Sequence, residues 1–221
     1  MESVLLSPRV VPGMTTVQRV WGTTEGTLPE RQPLDLDLYV DCSGSMPNPQ
    51  VSLSYLTLAG AIISLSALRA GACVQATLWS GKGQYQSTQG FVRDEHQVLG
   101  ILTGYIGGGT QFPIHLLRET YAARKPHDRP AHILVISDDG VTTMFDKDEQ
   151  GTSGWDIAAM ALGKARGGGT LALNLIPAWE KQYPVLAKAR DVGWQLSPIS
   201  SWEDLLAFAR KFSQLTYVDS D

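Results

Sequence analysis

The sequence predicts an α/β fold in which a mostly parallel central sheet, with one antiparallel edge strand, lies between helices on both faces. Short apolar strand patterns alternate with helical patterns through most of the 221 residues, and this order is typical of a parallel sheet. A hydrophobic content of 43% provides a sizeable core. The short turn at 80–83 joins two strand patterns as a hairpin, so one strand should be antiparallel.

The first two elements are a strand at 34–41 and a helix at 51–69. Residues 34–40 alternate leucine, valine or tyrosine with other side chains, which is a strand pattern. No charged residue occurs in 51–68, a length that approaches a membrane span. This stretch also holds four serines, a threonine and a glycine, and it lies where an α/β fold needs a buried crossover helix. We therefore expect no membrane span here.

The remaining elements continue the alternation. We predict strands at 73–79, 85–91, 131–137, 170–176 and 194–196, and helices at 94–103, 113–124, 155–166, 181–190 and 202–213. The glycine triplet 167–169 should end a helix and form a turn. The result is a Rossmann-like three-layer sandwich, in which ligands bind at the carboxyl ends of the strands.

Composition limits the setting and the partners. The net charge is −4 and the 18 lysines and arginines are scattered, which argues against nucleic acid and favours a protein or a small anion. The two cysteines, Cys42 and Cys73, should lie at opposite ends of neighbouring strands, too far apart for a disulfide. No secretion signal is apparent at the N-terminus, so we expect a cytoplasmic protein. Residues 1–33 are interpreted as an N-terminal extension or linker, and 34–221 as the domain.

A cluster of oxygen donors follows the first predicted strand. Asp41, Ser43 and Ser45 form an Asp-x-Ser-x-Ser pattern in a turn of small residues. A carboxylate and two hydroxyls suit a hard divalent cation, above all Mg²⁺. The same residues could instead form a simple helix cap.

Two later segments complete a resemblance. Thr110 ends a glycine-rich loop at 107–110, and Ser137 and Asp138 end a buried strand pattern at 133–137. Together with the Asp-x-Ser-x-Ser turn, they resemble the von Willebrand factor A domain (VWA domain) with its metal-ion-dependent adhesion site, over about 34–215. By that resemblance the hydroxyls of Ser43, Ser45 and Thr110 would bind the metal, and Asp41 and Asp138 would act directly or through water. Because Asp139 follows Asp138, the last assignment is open by one residue.

The resemblance also implies a function. Such a domain would use Mg²⁺, with Mn²⁺ or Ca²⁺ as alternatives, to bind an acidic side chain of a partner protein, without catalysis of its own. Intracellular bacterial members of the family accompany AAA+ ATPases of the MoxR type or stress and conflict systems. We expect apolar contacts around the ion from a rim of Met144, Phe145 and Trp155.

Other kinds of site are less well supported. No nucleotide-binding glycine motif or serine-hydrolase elbow occurs. The acidic loop 146–151 copies the first half of a calcium-binding loop but has Ile157 at the twelfth position. Two alternatives stay open. One is a Mg²⁺-dependent phosphate-ester hydrolase that uses Asp41, Asp138 and Asp139, with Lys82 or Lys147 binding the phosphate. The other is a structural domain with an empty site.

Overall fold

The computed structural model describes residues 32–218. The predicted extension at 1–33 lies outside the described residues, apart from its last two positions. Within these residues, six strands form one sheet in the order β3-β2-β1-β4-β5-β6. They are β1 (Asp35–Asp41), β2 (Val74–Trp79), β3 (Tyr85–Ser87), β4 (Ala131–Ser137), β5 (Arg166–Asn174) and β6 (Gln195–Ile199).

The sheet has the predicted architecture. All neighbouring strands are parallel except β3, which pairs with β2 in the antiparallel direction at one edge. The helices are α1 (Tyr55–Arg69), α2 (Glu95–Leu102), α3 (Ile114–Ala123), α4 (Gly154–Ala165), α5 (Trp179–Gln182), α6 (Pro184–Asp191) and α7 (Asp204–Tyr217). Buried residues of α1, α2 and α7 form one core with the sheet, and those of α3, α4 and α6 form a second core. The predicted fold class is therefore confirmed.

The central strand β1 shows why its sequence alternates. Its even-numbered residues Leu36, Leu38 and Val40 belong to the core shared with α1 and α7, while Tyr39 belongs to the core on the opposite face. Successive side chains of a strand point to opposite faces, so Asp35, Asp37 and Asp41 share the face of Tyr39. All seven residues are buried, because helices cover both faces of the sheet.

Helix α1 is the crossover helix expected after β1, and it begins four residues later than predicted. Ser54 caps it by accepting a hydrogen bond from the Thr57 backbone N–H at 3.3 Å, which fixes the first turn at Tyr55. The preceding Val51 and Leu53 are exposed. None of the helices within 32–218 combines the length and apolarity required to cross a lipid bilayer.

The glycine triplet 167–169 is a correction to the prediction, because it lies within strand β5 rather than in a turn. Helix α4 ends at Ala165. The next residue, Arg166, has a left-handed backbone with φ of 60°. A Cβ on Gly167 would lie 2.4 Å from the Ala131 carbonyl oxygen, and one on Gly169 would lie 2.6 Å from Leu162 Cδ2. The glycines thus allow β5 to pass close to β4 and α4.

Two more segments differ from the prediction. The helix expected at 181–190 is divided into α5 and α6, since Pro184 disfavours a helical backbone at the residue before it and Tyr183 has φ of −122° and ψ of 68°. The segment between β4 and the acidic loop 146–151, for which no element was predicted, contains a 3₁₀ helix, Asp139–Phe145. Both segments follow parallel strands and therefore lie at the carboxyl edge of the sheet.

Candidate metal centre

Three segments meet at the carboxyl edge of the two central strands. Since β1 and β4 are parallel neighbours, Asp41 at the end of β1 lies beside Ser137 at the end of β4. The glycine-rich loop 107–110 is hydrogen-bonded to the turn that follows β1. Gly107 N–H donates to the Cys42 carbonyl at 3.0 Å, and Gly44 N–H donates to the Gly108 carbonyl at 2.9 Å. The predicted donor segments are therefore neighbours in space.

The side chain of Asp41 is buried at this edge and held by two hydrogen bonds. It is only 1% exposed, and its Oδ1 accepts a hydrogen bond from the Ser43 backbone N–H at 2.8 Å. Its Oδ2 accepts one from the Ser137 hydroxyl at 2.6 Å. Each carboxylate oxygen has a further lone pair, so Asp41 can orient the turn and still interact with a cation or a water.

The two serine hydroxyls lie together. Ser43 Oγ and Ser45 Oγ are 3.3 Å apart, as expected for residues two apart in a tight turn. Ser43 is fully buried, whereas Ser45 is exposed. The pair thus forms a short path of hydroxyl oxygens from the interior to the surface.

Thr110 and Asp138 meet at Gly140. A Cβ on Gly140 would lie 2.4 Å from Thr110 Cγ2 and 3.0 Å from Asp138 Oδ1. Asp138 Oδ1 also accepts the Gly140 N–H at 2.8 Å, which caps the 3₁₀ helix. A glycine at this position therefore leaves room for a hydroxyl residue and a carboxylate to approach each other.

The two carboxyl groups lack a compensating positive charge. Burial raises the pKa of Asp41, and its hydrogen bonds from Ser137 and Ser43 offset this only in part, while the nearby charge of Asp138 adds to it. Burial likewise raises the pKa of Asp138, with a further contribution from Asp139. Within residues 32–218, neither Asp41 nor Asp138 forms an ion pair with lysine or arginine. A divalent cation would stabilise both carboxylates here.

The donor set is a mixture of carboxylates and hydroxyls. Nowhere in the described part of the chain do three histidine, cysteine, aspartate or glutamate side chains converge so that they could hold a metal. Asp41, Asp138 and Asp139 thus do not form the three-carboxylate site that the hydrolase alternative requires. Asp139 is exposed and is the main cause of the raised pKa of the Tyr183 phenol, whereas the half-buried Asp138 lies beside Thr110 at Gly140, and its charge raises the pKa of Asp41. This geometry favours Asp138 as the acid of the centre.

The prediction of an apolar rim is wrong for two of its three residues, Met144 and Phe145. Met144 is fully buried and Phe145 is 6% exposed, so neither side chain can contact a partner. Phe145 stacks on the half-buried Trp155 with ring centroids 4.0 Å apart, and Lys188 Nζ lies 4.3 Å from the centroid of the Trp155 ring. The physical reason is that the 3₁₀ helix turns these apolar side chains inward, onto α4.

The acidic loop also has a structural role. Arg118 forms ion pairs with Asp148 and, at 2.6 Å, with Glu149. An Asp148 oxygen further accepts the backbone N–H of Gln150 at 2.9 Å and of Thr152 at 2.7 Å. These contacts occupy Asp148, which would be the ligand at the third position of a calcium loop. In the same region, Lys82 and Lys147 line one cleft together with His115.

A groove beside the centre was missed by the sequence reasoning. It has a volume of about 650 Å³ and extends from Ser45 and Asp138 to the loop that follows β5 and to the end of β6. Its signal in the sequence is the apolar run 175–179, which contains a proline and follows a buried strand. Such a run at the carboxyl edge of a sheet indicates a surface loop with apolar side chains.

Of the comparisons with known proteins, the one with solved structures gives information on the fold. No protein-family model and no curated protein matches the chain. Among solved structures, it is similar to the pilus adhesin SpaC of Lactobacillus rhamnosus GG in its open conformation, with 14% identity, a TM-score of 0.58 and coverage of 86% of this chain and 30% of SpaC. It is also similar to a von Willebrand factor type A structure from Catenulispora acidiphila, with 17% identity, a TM-score of 0.50 and coverage of 82% and 42%.

A third similar structure contains a von Willebrand factor domain alone. It is the von Willebrand factor domain of the type V pili tip protein Mfa5 from Porphyromonas gingivalis, with 9% identity, a TM-score of 0.55 and coverage of 87% of this chain and 99% of that domain. The chain spans less than half of each of the first two proteins. At these identities the likeness establishes the fold alone, which is that of the von Willebrand factor type A domains.

Proposed function

We propose that this chain, which has the von Willebrand factor A fold, is a protein-interaction module that binds a divalent cation at the carboxyl edge of its sheet. The hydroxyls of Ser43, Ser45 and Thr110 would hold the cation, with Asp41 and Asp138 acting directly or through water. Mg²⁺ is the proposed ion, and Mn²⁺ or Ca²⁺ could replace it. The observation that supports this proposal is that two buried carboxyl groups without a counter-charge, Asp41 and Asp138, lie where the segments that carry the three hydroxyls approach one another.

The donor set also determines what the site would bind. Three of the five donors are neutral hydroxyls, so the protein supplies no more than two formal negative charges. A bound cation would therefore supply an electrophilic position that attracts a carboxylate in a partly dry site. An aspartate or glutamate of a partner protein is the ligand that this chemistry favours.

We propose no catalytic role for the chain, and the candidate catalytic groups support this choice. Burial raises the pKa of the Cys42 thiol to about 11, and Cys42 Sγ donates to the Trp79 carbonyl at 3.3 Å. His132 is bound by the Gly167 carbonyl at 2.7 Å and by Thr170 Oγ1 at 3.0 Å, at the start of β4 and far from its carboxyl end. Neither group is placed to act as a nucleophile or base at the centre.

The partner class is a further part of the proposal. The motif resemblance directs the search first to AAA+ ATPases of the MoxR type and to stress or conflict systems. The structural neighbours include a pilus adhesin and a pilus tip protein, so surface assembly is a second setting. Both settings require the same chemistry, namely an acidic side chain presented to the cation.

The test is whether a carboxylate displaces water from a cation bound by the full chain. The chain is loaded with Mn²⁺, and the relaxation rate of water protons is measured during titration with N-acetyl-aspartate methylamide or its asparagine analogue. We expect the aspartate compound alone to lower the relaxation enhancement, because only a carboxylate competes well for the cation. Asp138→Asn should lose the enhancement and Asp139→Asn should keep it. Equal effects of the two compounds, or no enhancement in wild type, would contradict the proposal.

A further inference from the structure

The groove beside the candidate metal centre opens directly onto it. Ser45 and Asp138, two of the proposed donors, form one end of its wall. Neighbouring residues of an extended peptide lie about 3.3 to 3.8 Å apart. A segment that places a carboxylate at the centre will therefore place an adjacent residue over the groove.

The floor of the groove is apolar. Met46, Leu175, Trp179 and Ile199 line it and are only 5 to 7% exposed. At its mouth, Ile176 is 51% exposed. Its side chain therefore extends the apolar surface of the floor to the solvent-exposed edge of the groove. The volume of about 650 Å³ is in the range of pockets that bury a ligand.

The charges of the groove exclude several classes of ligand. Asp138, Asp139 and Glu180 line it, and its described lining contains no lysine, arginine or histidine. Phosphate groups and additional acidic side chains would be repelled there. Lys82 and Lys147 lie in a separate cleft. The turn that carries Lys82 contacts the glycine-rich loop, since a Cβ on Gly109 would be 3.8 Å from Gly81 Cα.

We infer that the groove binds an apolar side chain that is adjacent, in the same partner segment, to the acid bound at the metal centre. This inference rests on the proposed function and adds the recognition of a second residue to it. The acid supplies the cation-dependent part of the affinity, and the apolar side chain supplies selectivity among acidic segments. An apolar side chain such as leucine can contact this floor without the repulsion from Asp138, Asp139 and Glu180 that an acidic side chain would meet.

The experiment compares blocked dipeptides on the full chain loaded with Mn²⁺. The probes are N-acetyl dipeptide amides that contain aspartate with leucine or aspartate with alanine, each in both orders, and binding is measured by the water relaxation assay. We expect leucine to tighten binding by roughly tenfold over alanine in at least one order, because its side chain leaves water. Ile176→Ser should reduce this advantage to threefold or less and leave the alanine probe unaffected.

A matched control is available in Val51, which is 83% exposed and does not line the groove. Val51→Ser should leave the leucine advantage unchanged, and unfolding curves of both variants establish that they fold. Equal binding of leucine and alanine probes to wild type would overturn the groove inference while leaving the proposed function intact. Loss of the leucine advantage in Val51→Ser as well would also overturn it. If Mn²⁺ binds but none of the four probes does, the carboxylate-binding function and the groove inference both fail.

Discussion

Replacing Asp37 with asparagine is expected to make the protein progressively more stable than wild type as the pH rises. Burial raises the pKa of Asp37 to about 7, so between about pH 4 and pH 7 the folded wild type keeps a proton that the unfolded chain has lost. Its free energy of unfolding should therefore fall by roughly 4 kcal/mol over this range from Asp37 alone. Asparagine does not titrate. The difference in free energy of unfolding between variant and wild type should therefore grow by the same amount up to about pH 7 and then stay constant.

The surroundings of Asp37 explain the size of this effect. The side chain is fully buried, and within 32–218 neither carboxylate oxygen has a hydrogen-bond partner. Groups that lower the pKa lie nearby, namely Tyr121, Arg124, Tyr39 and Gln75. They offset only part of the rise that burial causes, because none of them makes a hydrogen bond of normal geometry with the carboxylate. The ionised form is thus poorly compensated.

The measurement is urea unfolding of wild type and Asp37→Asn at several pH values from 4.5 to 8.5, without divalent cations. The other titrating groups are shared by both proteins and cancel in the difference. A difference in unfolding free energy that stays constant over this pH range would contradict the predicted pKa of Asp37.

Replacing Asp41 with alanine is expected to abolish stabilisation of the protein by Mn²⁺. A ligand that binds the folded state alone stabilises it by about 2.7 kcal/mol at a concentration of one hundred times Kd, and wild type should show an effect of this size. The variant should show none, since Asp41 is buried at the point where the donor segments meet. It should also be less stable without metal, because the Ser137 hydroxyl and the Ser43 N–H lose their acceptor, at about 1 to 3 kcal/mol for each buried group.

The measurement is the free energy of unfolding with and without Mn²⁺. Asp139→Ala is the matched control, because Asp139 is an exposed acid at the same edge and should keep the full effect. The raised pKa values of Asp41 and Asp138 also predict a direction with pH. Protons compete with the cation, so the stabilisation by Mn²⁺ should increase as the pH rises from 5 to 7.5. Equal stabilisation of Asp41→Ala and wild type would refute the assigned role.

Local patterns predicted much of the fold. The alternation in β1 and the βα order lead to the parallel sheet, and the short turn at 80–83 correctly predicts the antiparallel edge. The triplet 167–169 could not be understood from the sequence, because its glycines are required by contacts with Ala131, Leu162 and other residues distant in the chain. The early start predicted for α1 reflects a missed cap at Ser54.

Local sequence patterns also account for part of the prediction of the candidate site. Asp41, Ser43 and Ser45 lie within one turn, so their proximity follows from the local sequence. Thr110 and Asp138 required the motif resemblance, and the structure brings them together over Gly140. The rim prediction failed at Met144 and Phe145 because their burial depends on how the 3₁₀ helix packs, which a local pattern does not show.

Two features were overlooked for different reasons. The groove is built from four segments that are far apart in the sequence, and only the exposed Ile176 and its apolar run give a hint of it. The position of Asp37 was within reach of the sequence. It lies in a strand pattern between Leu36 and Leu38, and in a sheet covered on both faces such an acid must be buried.

The most direct test of the metal centre is a crystal structure of the full chain grown with Mn²⁺, with diffraction measured near the manganese absorption edge. We predict an anomalous peak in contact with the hydroxyls of Ser43, Ser45 and Thr110, beside Asp41 and Asp138. The absence of a peak there at saturating Mn²⁺ would contradict the proposed centre. A peak confined to Asp139 and Glu180, or to the acidic loop, would contradict it equally.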